Sequence, residues 1–340
     1  MSSHARYVSP AEAARRIGAS AKALRVYEQH GLLAPGRNAA GWRTYGPAEI
    51  SRAAEIVKLR GLGFSLAQIA RVLTGDAQDL EPILAAHQTL LERQMRKLAD
   101  AVGKVHGLRN GLARGQRPTA HELIDLLAPA AQHHVAFDLP WPWGGERFEL
   151  RDIRPLTYIT GPLGSGKTRL AQRLAETLPN AVFLGLERSK TAAQVQASLA
   201  ADPGLKSRVD QALTWIIEDG GTVSDALVIL MAGLESEGPD HLVIDMIEQG
   251  LDHATQEALI AYLRFGRGHV RPLFFLTRSS AILDLASVGP DETIILCPAN
   301  HSPPTTVAAY PGTPGYEAIA TCLATPEVRA RTEGVIAMRP

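Results

Sequence analysis

The sequence predicts a multidomain α plus α/β chain, and three observations carry that expectation. Charge is uneven along it: residues 1–116 hold 17 Lys+Arg against 9 Asp+Glu (17 − 9 = +8), and the remainder holds 18 against 26 (18 − 26 = −8). Apolar residues then recur at heptad spacing from Leu84 to Val105. Further on, the β-branched run L-T-Y-I-T leads into G-P-L-G-S-G-K-T and a helical pattern. At 340 residues and 45% apolar composition the chain can build more than one core. Its opening M-S-S-H-A-R-Y-V-S-P has no apolar stretch flanked by basic residues, and no later apolar run approaches the roughly 20 residues of a membrane span. A cytoplasmic protein with no membrane partner is therefore expected. Two cysteines, Cys297 and Cys322, are too few for a disulfide framework or a zinc cluster.

The basic front begins with Ser9-Pro10-Ala11-Glu12, a serine cap with proline at the first helical position. Gly18 ends that helix, Ser20 caps a second, and Gly31 stops it, so two short helices flank the tight turn G-A-S. Gly- and Pro-punctuated residues follow and end in G-W-R-T-Y, the pattern of a small β-wing. This is a winged helix-turn-helix.

Three stretches then become specific: L-R-V-Y-E-Q-H-G-L-L, G-W-R-T-Y, and A-E-I-S-R-A-A-E-I-V-K-L-R-G-L-G-F-S-L-A-Q-I-A-R-V-L. Over residues 7–73 they resemble the MerR family of transcriptional regulators. The resemblance implies double-stranded promoter DNA as ligand, a homodimer, and RNA polymerase as partner. It places Lys22, Arg25 and Tyr27 against the major groove and its phosphates, with Arg37, Arg43 and Tyr45 about the wing. Arginine can read guanine edges or clamp phosphate, and tyrosine can donate to a phosphate oxygen. Core packing of Tyr27 and pairing of Arg25 with Glu28 are the alternatives.

Leu84, Leu91, Leu98 and Val105 recur every seven residues, with Gln88, Met95 and Val102 four positions after the first three. That spacing predicts a dimerising coiled-coil helix over 77–116, following the DNA-binding domain over 1–76. Many members of the family carry metal-binding cysteines around this helix; this sequence has none there, which disfavours metal sensing. Residues 117–145 read as a linker with one helix starting at a capping box from Thr119 to Glu122. His121, His133 and His134 lie in it without further ligand spacing. Trp141 and Trp143 could stack on a nucleotide base or seal the linker against the next domain.

Residues 146–340 read as a P-loop NTPase-type α/β domain. In G-P-L-G-S-G-K-T, the glycines Gly161, Gly164 and Gly166, with Ser165, let backbone N–H groups curl around phosphate oxygens at a helix amino terminus. Lys167 supplies charge, and Thr168 a magnesium ligand. No N-K-x-D occurs, which favours ATP with Mg2+ over GTP. The buried-strand pattern H-L-V-I-D ends in Asp245, suited to hold magnesium opposite Thr168.

The run P-D-H-L-V-I-D-M-I-E-Q-G-L-D, and later R-P-L-F-F-L-T-R-S-S-A-I-L-D, resemble the second nucleotide motif and switch segment of ABC-type ATPases, over about residues 148–297. That resemblance implies a glutamate after the aspartate and a histidine after the threonine; here Met246 and Arg278 stand there. The signature that would complete a partner's site is at best T-V-S-D-A at 222–226. Loss of a positioned base costs about 10² to 10⁴ in rate, so nucleotide binding should survive better than hydrolysis. Glu248 could replace the base, which leaves a slow ATPase open, with Asp245, Glu248 and Arg278 as its candidate catalytic residues. Three readings remain: a nucleotide-sensing transcription factor, a DNA-associated ATPase driving remodelling or partner release, and a small-molecule transferase tethered to a DNA-binding head.

Overall fold

Local chemistry sets the boundaries of the first helices. The Ser9 hydroxyl accepts the Glu12 N–H at 3.3 Å and starts α1 (Pro10–Ile17), which Gly18 ends at φ 69°. Ser20 accepts the Ala23 N–H at 3.0 Å and starts α2 (Ala21–Gln29). Strands β1 (Gly36–Arg37) and β2 (Arg43–Thr44) pair antiparallel as the wing. Helix α3 (Pro47–Gly61) follows, then α4 (Leu66–Leu73), whose capping box joins Ser65 and Gln68. Leu24, Tyr45, Ile56, Phe64 and Ile69 form the centre of a core of their own. Beyond it α5 (Leu80–Ala113) runs for 34 residues, about 51 Å at 1.5 Å per residue. The computed structural model describes residues 7–76, 80–119, 134–186, 192–267 and 271–324; His121, His133 and Glu122 of the expected linker lie outside them.

The expected linker does not reach residue 145. Strand β3 (Val135–Asp138) pairs antiparallel with β4 (Arg147–Leu150). Val135, Phe137, Trp143, Phe148 and Leu150 of this hairpin are buried in one cluster with residues of the main sheet, because their alternation gives the hairpin one apolar face to cover.

That sheet starts with β5 (Leu156–Thr160) and continues through α6 (Lys167–Thr177), β6 (Ala181–Leu184), α7 (Ala192–Ala201), α8 (Pro203–Glu218) and α9 (Asp225–Glu235). Then come β7 (His241–Ile244), α10 (His253–Ala261) with a π-turn over Tyr262–Gly266, β8 (Leu273–Leu276), a 3-10 turn over Leu285–Ser287, β9 (Glu292–Leu296), β10 (Thr305–Val307) and α11 (Tyr316–Cys322). The spatial order is β10-β9-β5-β8-β7-β6, parallel except for β10. β5, β7, β8 and β9 are buried along their whole length, as expected of strands covered on both faces.

The two halves meet through a buried charge pair. Arg60 of α3 donates to both carboxylate oxygens of Asp219, at 3.0 and 2.6 Å, with the two side chains 5% and 3% exposed. Asp219 caps the carboxyl end of α8, where the helix dipole disfavours an anion. It also accepts the N–H of Leu66, first residue of α4, at 2.7 Å, so it faces a helix amino end that favours it. Burial pushes the Asp219 carboxyl up, and Arg60 opposes that shift. Around the pair, Ser65 donates to Glu218 at 2.6 Å, Arg71 bonds Glu218 at 2.9 Å, and the Trp215 indole donates to the Gly63 carbonyl at 3.0 Å. The Arg60 guanidinium also lies over the Trp215 and Phe265 rings, at 4.8 and 5.1 Å.

Asp219→Ala would leave Arg60 buried without its counter-charge, at a cost of about 3–5 kcal/mol. In thermal or urea unfolding, the variant is expected to lose that stability or to split into two transitions. An unchanged single transition would show that the pair does not hold the halves together.

Candidate functional site

The carboxyl ends of β5, β8 and β7 lie side by side, so the segments leaving them converge on one cleft. The loop after β5 fits there only with its glycines. Gly161 has φ 149°, and a Cβ on it would lie 2.2 Å from the Cys297 carbonyl oxygen. Gly166 has φ 87°, and its Cβ would lie 2.6 Å from the Trp143 ring. The loop is braced from outside: the Trp143 indole donates to the Ser302 carbonyl at 3.1 Å, and His301 Nε2 lies 3.0 Å from the Gly164 oxygen.

Lys167 opens α6, and its Nζ donates to the carbonyls of Gly161 and Pro162 at 2.9 and 2.7 Å. It is 8% exposed, and burial pushes its pKa down. A desolvated ammonium at a helix amino terminus gains strongly from an arriving anion. Next to it, the Thr168 hydroxyl donates to Asp245 Oδ2 at 3.1 Å. Asp245 is 2% exposed, and burial raises its pKa against the pull of the Thr168 hydrogen bond and of Lys167. Two oxygen donors in contact beside a phosphate loop form the hard donor set that Mg2+ takes.

The cleft measures about 1360 Å³, with Trp141, Lys167, Asp245, Glu248, Gln256 and Arg278 among its walls. Small-molecule sites commonly span about 300–1,000 Å³, so a nucleotide fits with room to spare. The sequence-picked tryptophans divide the two roles open to them: Trp143 is buried against the loop, and Trp141 is 74% exposed on the cleft wall.

Met246 follows Asp245 at φ 45°, a left-handed conformation uncommon for a side chain of its size. The turn it makes brings Glu248, 2% exposed, into the cleft wall, where Oε1 accepts the Arg278 backbone N–H at 3.0 Å. The Nε of Arg278 is buried and has no hydrogen-bond partner among the described residues. Gln256 and His301 also border the cleft and were not singled out by sequence; no local motif marks them. Gln256 Oε1 accepts from the Ser279 hydroxyl at 2.6 Å.

The expected DNA-facing residues are less uniformly placed. Arg25 is exposed on α2. Arg37 bonds Glu28 at 3.1 Å, and Arg43 pairs with the other oxygen of the same carboxylate. Tyr27 and Tyr45 are 7% and 1% exposed in the core of the head, so the phosphate contacts expected of them are corrected to packing. Lys22 is turned toward the α/β domain, 3.0 Å from Glu257. Leu84, Leu91, Met95, Leu98, Val102 and Val105 are exposed along α5.

Comparison with known proteins follows this division. Residues 8–76 match the model of MerR HTH family regulatory proteins. A probable heavy metal-dependent transcriptional regulator of Haemophilus influenzae is 35% identical over 101 residues, covering 28% of this chain and 79% of that protein. The chain belongs to the MerR family. A second family member, an uncharacterized HTH-type transcriptional regulator of Pseudomonas aeruginosa, is 34% identical over 122 residues, which is 34% of this MerR chain and 92% of the relative. Residues 157–308 match the AAA domain of the dynein-related subfamily, so this MerR protein carries a P-loop domain where the loop and cleft lie. Among solved structures, a MerR family regulator lacking the sensor domain, bound to promoter DNA, shares 25% identity over 33% of this chain and 92% of its own, with a TM-score of 0.25. A metal-chelate type ABC transporter in an inward-facing conformation shares 14% identity over 52% and 82%, with a TM-score of 0.37. Among the described residues no helix is long and apolar enough to cross a membrane.

Removing the Lys167 ammonium deletes charged hydrogen bonds worth roughly 1.5–3 kcal/mol each. Lys167→Ala is therefore expected to weaken ATP binding by at least about tenfold in calorimetry, with an unaltered circular dichroism spectrum. Unaltered affinity would show that the loop does not cradle phosphate.

Proposed function

We propose that this MerR-family protein is a homodimeric, promoter-binding transcriptional regulator whose P-loop domain binds ATP with Mg2+ and makes DNA binding or activation respond to nucleotide, with weak or no hydrolysis. One observation carries the reading: a phosphate loop with its lysine, threonine and aspartate in register lies beside Met246, which puts a thioether directly after the aspartate. Thr168 and Asp245 would hold magnesium, which would supply positive charge beside the phosphates. Lys167 and the loop amides bind the phosphates, Arg278 adds a charged donor from the segment after β8, and Trp141 offers a ring face for the base. RNA polymerase is the partner such a regulator would act on.

A second reading, a DNA-associated ATPase, draws on Glu248, whose carboxylate reaches the cleft wall. One of its oxygens accepts the Arg278 backbone N–H.

The exposed stripe along α5 fits a two-fold pair of heads reading two half-sites. Light scattering should read two chains per particle; a monomer that binds DNA with full affinity would overturn the homodimer. In titrations with saturating ATP, ADP or a non-hydrolysable analogue, DNA affinity should shift by about 5- to 150-fold, with ATP affinity shifted equally by DNA. No shift in either direction would remove the regulatory reading. Restoring a carboxylate with Met246→Glu should raise phosphate release, and unchanged turnover would mean that more than a base is missing.

A further inference from the structure

Of the basic residues expected to meet DNA, Lys22 alone is held by the other half of the chain. Its Nζ lies 3.0 Å from Glu257 and donates to the Ala281 carbonyl at 3.4 Å. The α2 face carrying Lys22, Val26 and His30 borders a gap of about 660 Å³ whose far wall includes Glu257, Gly220 and Asp284. A helix read by DNA fills a major groove about 12 Å wide, with a phosphate ridge on either side. In this arrangement those ridges would have to enter the gap, against the carboxylates of Glu257 and Asp284. Docked as it is, the Lys22 face of α2 is covered by the other half of the chain.

Two segments connect this gap to the nucleotide cleft. On α10, Gln256 borders the cleft and Glu257, the next residue, holds Lys22. After β8, Arg278 borders the cleft, and three residues later Ala281 offers its carbonyl to Lys22. The Ser279–Gln256 hydrogen bond ties the two segments together. Arg278 and Gln256 therefore connect the cleft, through neighbouring residues, to both acceptors of the Lys22 ammonium.

We propose that the P-loop domain holds the DNA-reading head in an autoinhibited arrangement, and that a triphosphate in the cleft, by drawing Arg278 toward it, slackens the grip on Lys22 and frees α2 for DNA. This rests on the reading of the cleft as a nucleotide site. The Arg60–Asp219 pair is the anchor of the docked state, and the contacts of Glu218 and Glu257, whose side chains are 19% and 21% exposed, are the part that can be released.

The test uses the full chain, wild type and the double variant E218Q/E257Q, with a duplex selected from a random-sequence library, Mg2+, and either ADP or a non-hydrolysable ATP analogue. Without nucleotide, the double variant should bind the duplex roughly tenfold more tightly than wild type, and its response to the analogue should shrink to match. In wild type, the analogue should speed amide exchange over residues 60–66 and 215–220. If both proteins respond to the analogue by the same factor, the latch is overturned while the nucleotide reading stands. If calorimetry finds no analogue binding, the nucleotide reading fails, and tighter DNA binding by the variant would still support the occluded head. Unchanged exchange in wild type with bound analogue overturns the proposal whether or not the variant folds.

Discussion

A guanidinium taken out of water needs a carboxylate at hydrogen-bond distance, and Arg60 finds one 159 residues away in Asp219. That requirement ties the two halves together at their most buried contact. The carboxylate is itself poorly placed at the end of α8 until the amino end of α4 and the guanidinium reach it. Each half thus supplies what the other's buried charge lacks, and neither side can move far without exposing an uncompensated ion to an apolar contact that includes Trp215 and Phe265. The anchor brings α2 close to α10, where Lys22 meets Glu257.

The cleft is governed by a different constraint. Parallel strands point their carboxyl ends the same way, and the order β5-β8-β7 puts the phosphate loop, the Arg278 segment and Asp245 on one edge. Packing then fixes the loop's shape: Trp143 behind Gly166 and the Cys297 carbonyl behind Gly161 leave no room for side chains. A lysine held under such a loop is partly desolvated, which makes it a strong ligand for anions and a poor one for water. Burial of Cys297 likewise pushes its thiol up to about 12, so it stays protonated and serves as packing.

What could be read from sequence was what depends on neighbours along the chain. The serine caps of α1 and α2, the glycine stop at Gly18, the wing, and the strand-loop-helix around Lys167 all have their causes within a few residues. So does the fully buried H-L-V-I strand that delivers Asp245. What depends on distant partners was not legible. Tyr27 and Tyr45 carry the chemistry of a phosphate contact, and only the folded core shows that Leu24, Ile56 and Phe64 claim them. Strand β3 passed for linker because it is short and followed closely by P-W-P-W-G-G. Nothing around Asp219 or Glu257 marks them as partners of Arg60 and Lys22.

The way Asp219 is shared also bears on how such a protein could be assembled from parts. A DNA-reading head and a P-loop domain are commonly regarded as interchangeable modules, joined by whatever linker is to hand. Here a recombinant that took its head from a relative without an arginine at the place of Arg60 would inherit a buried carboxylate facing only the Leu66 amide. The reverse exchange would bury a guanidinium beneath an indole with no anion near. A working exchange of either half would therefore have to carry Arg60 and Asp219 over together.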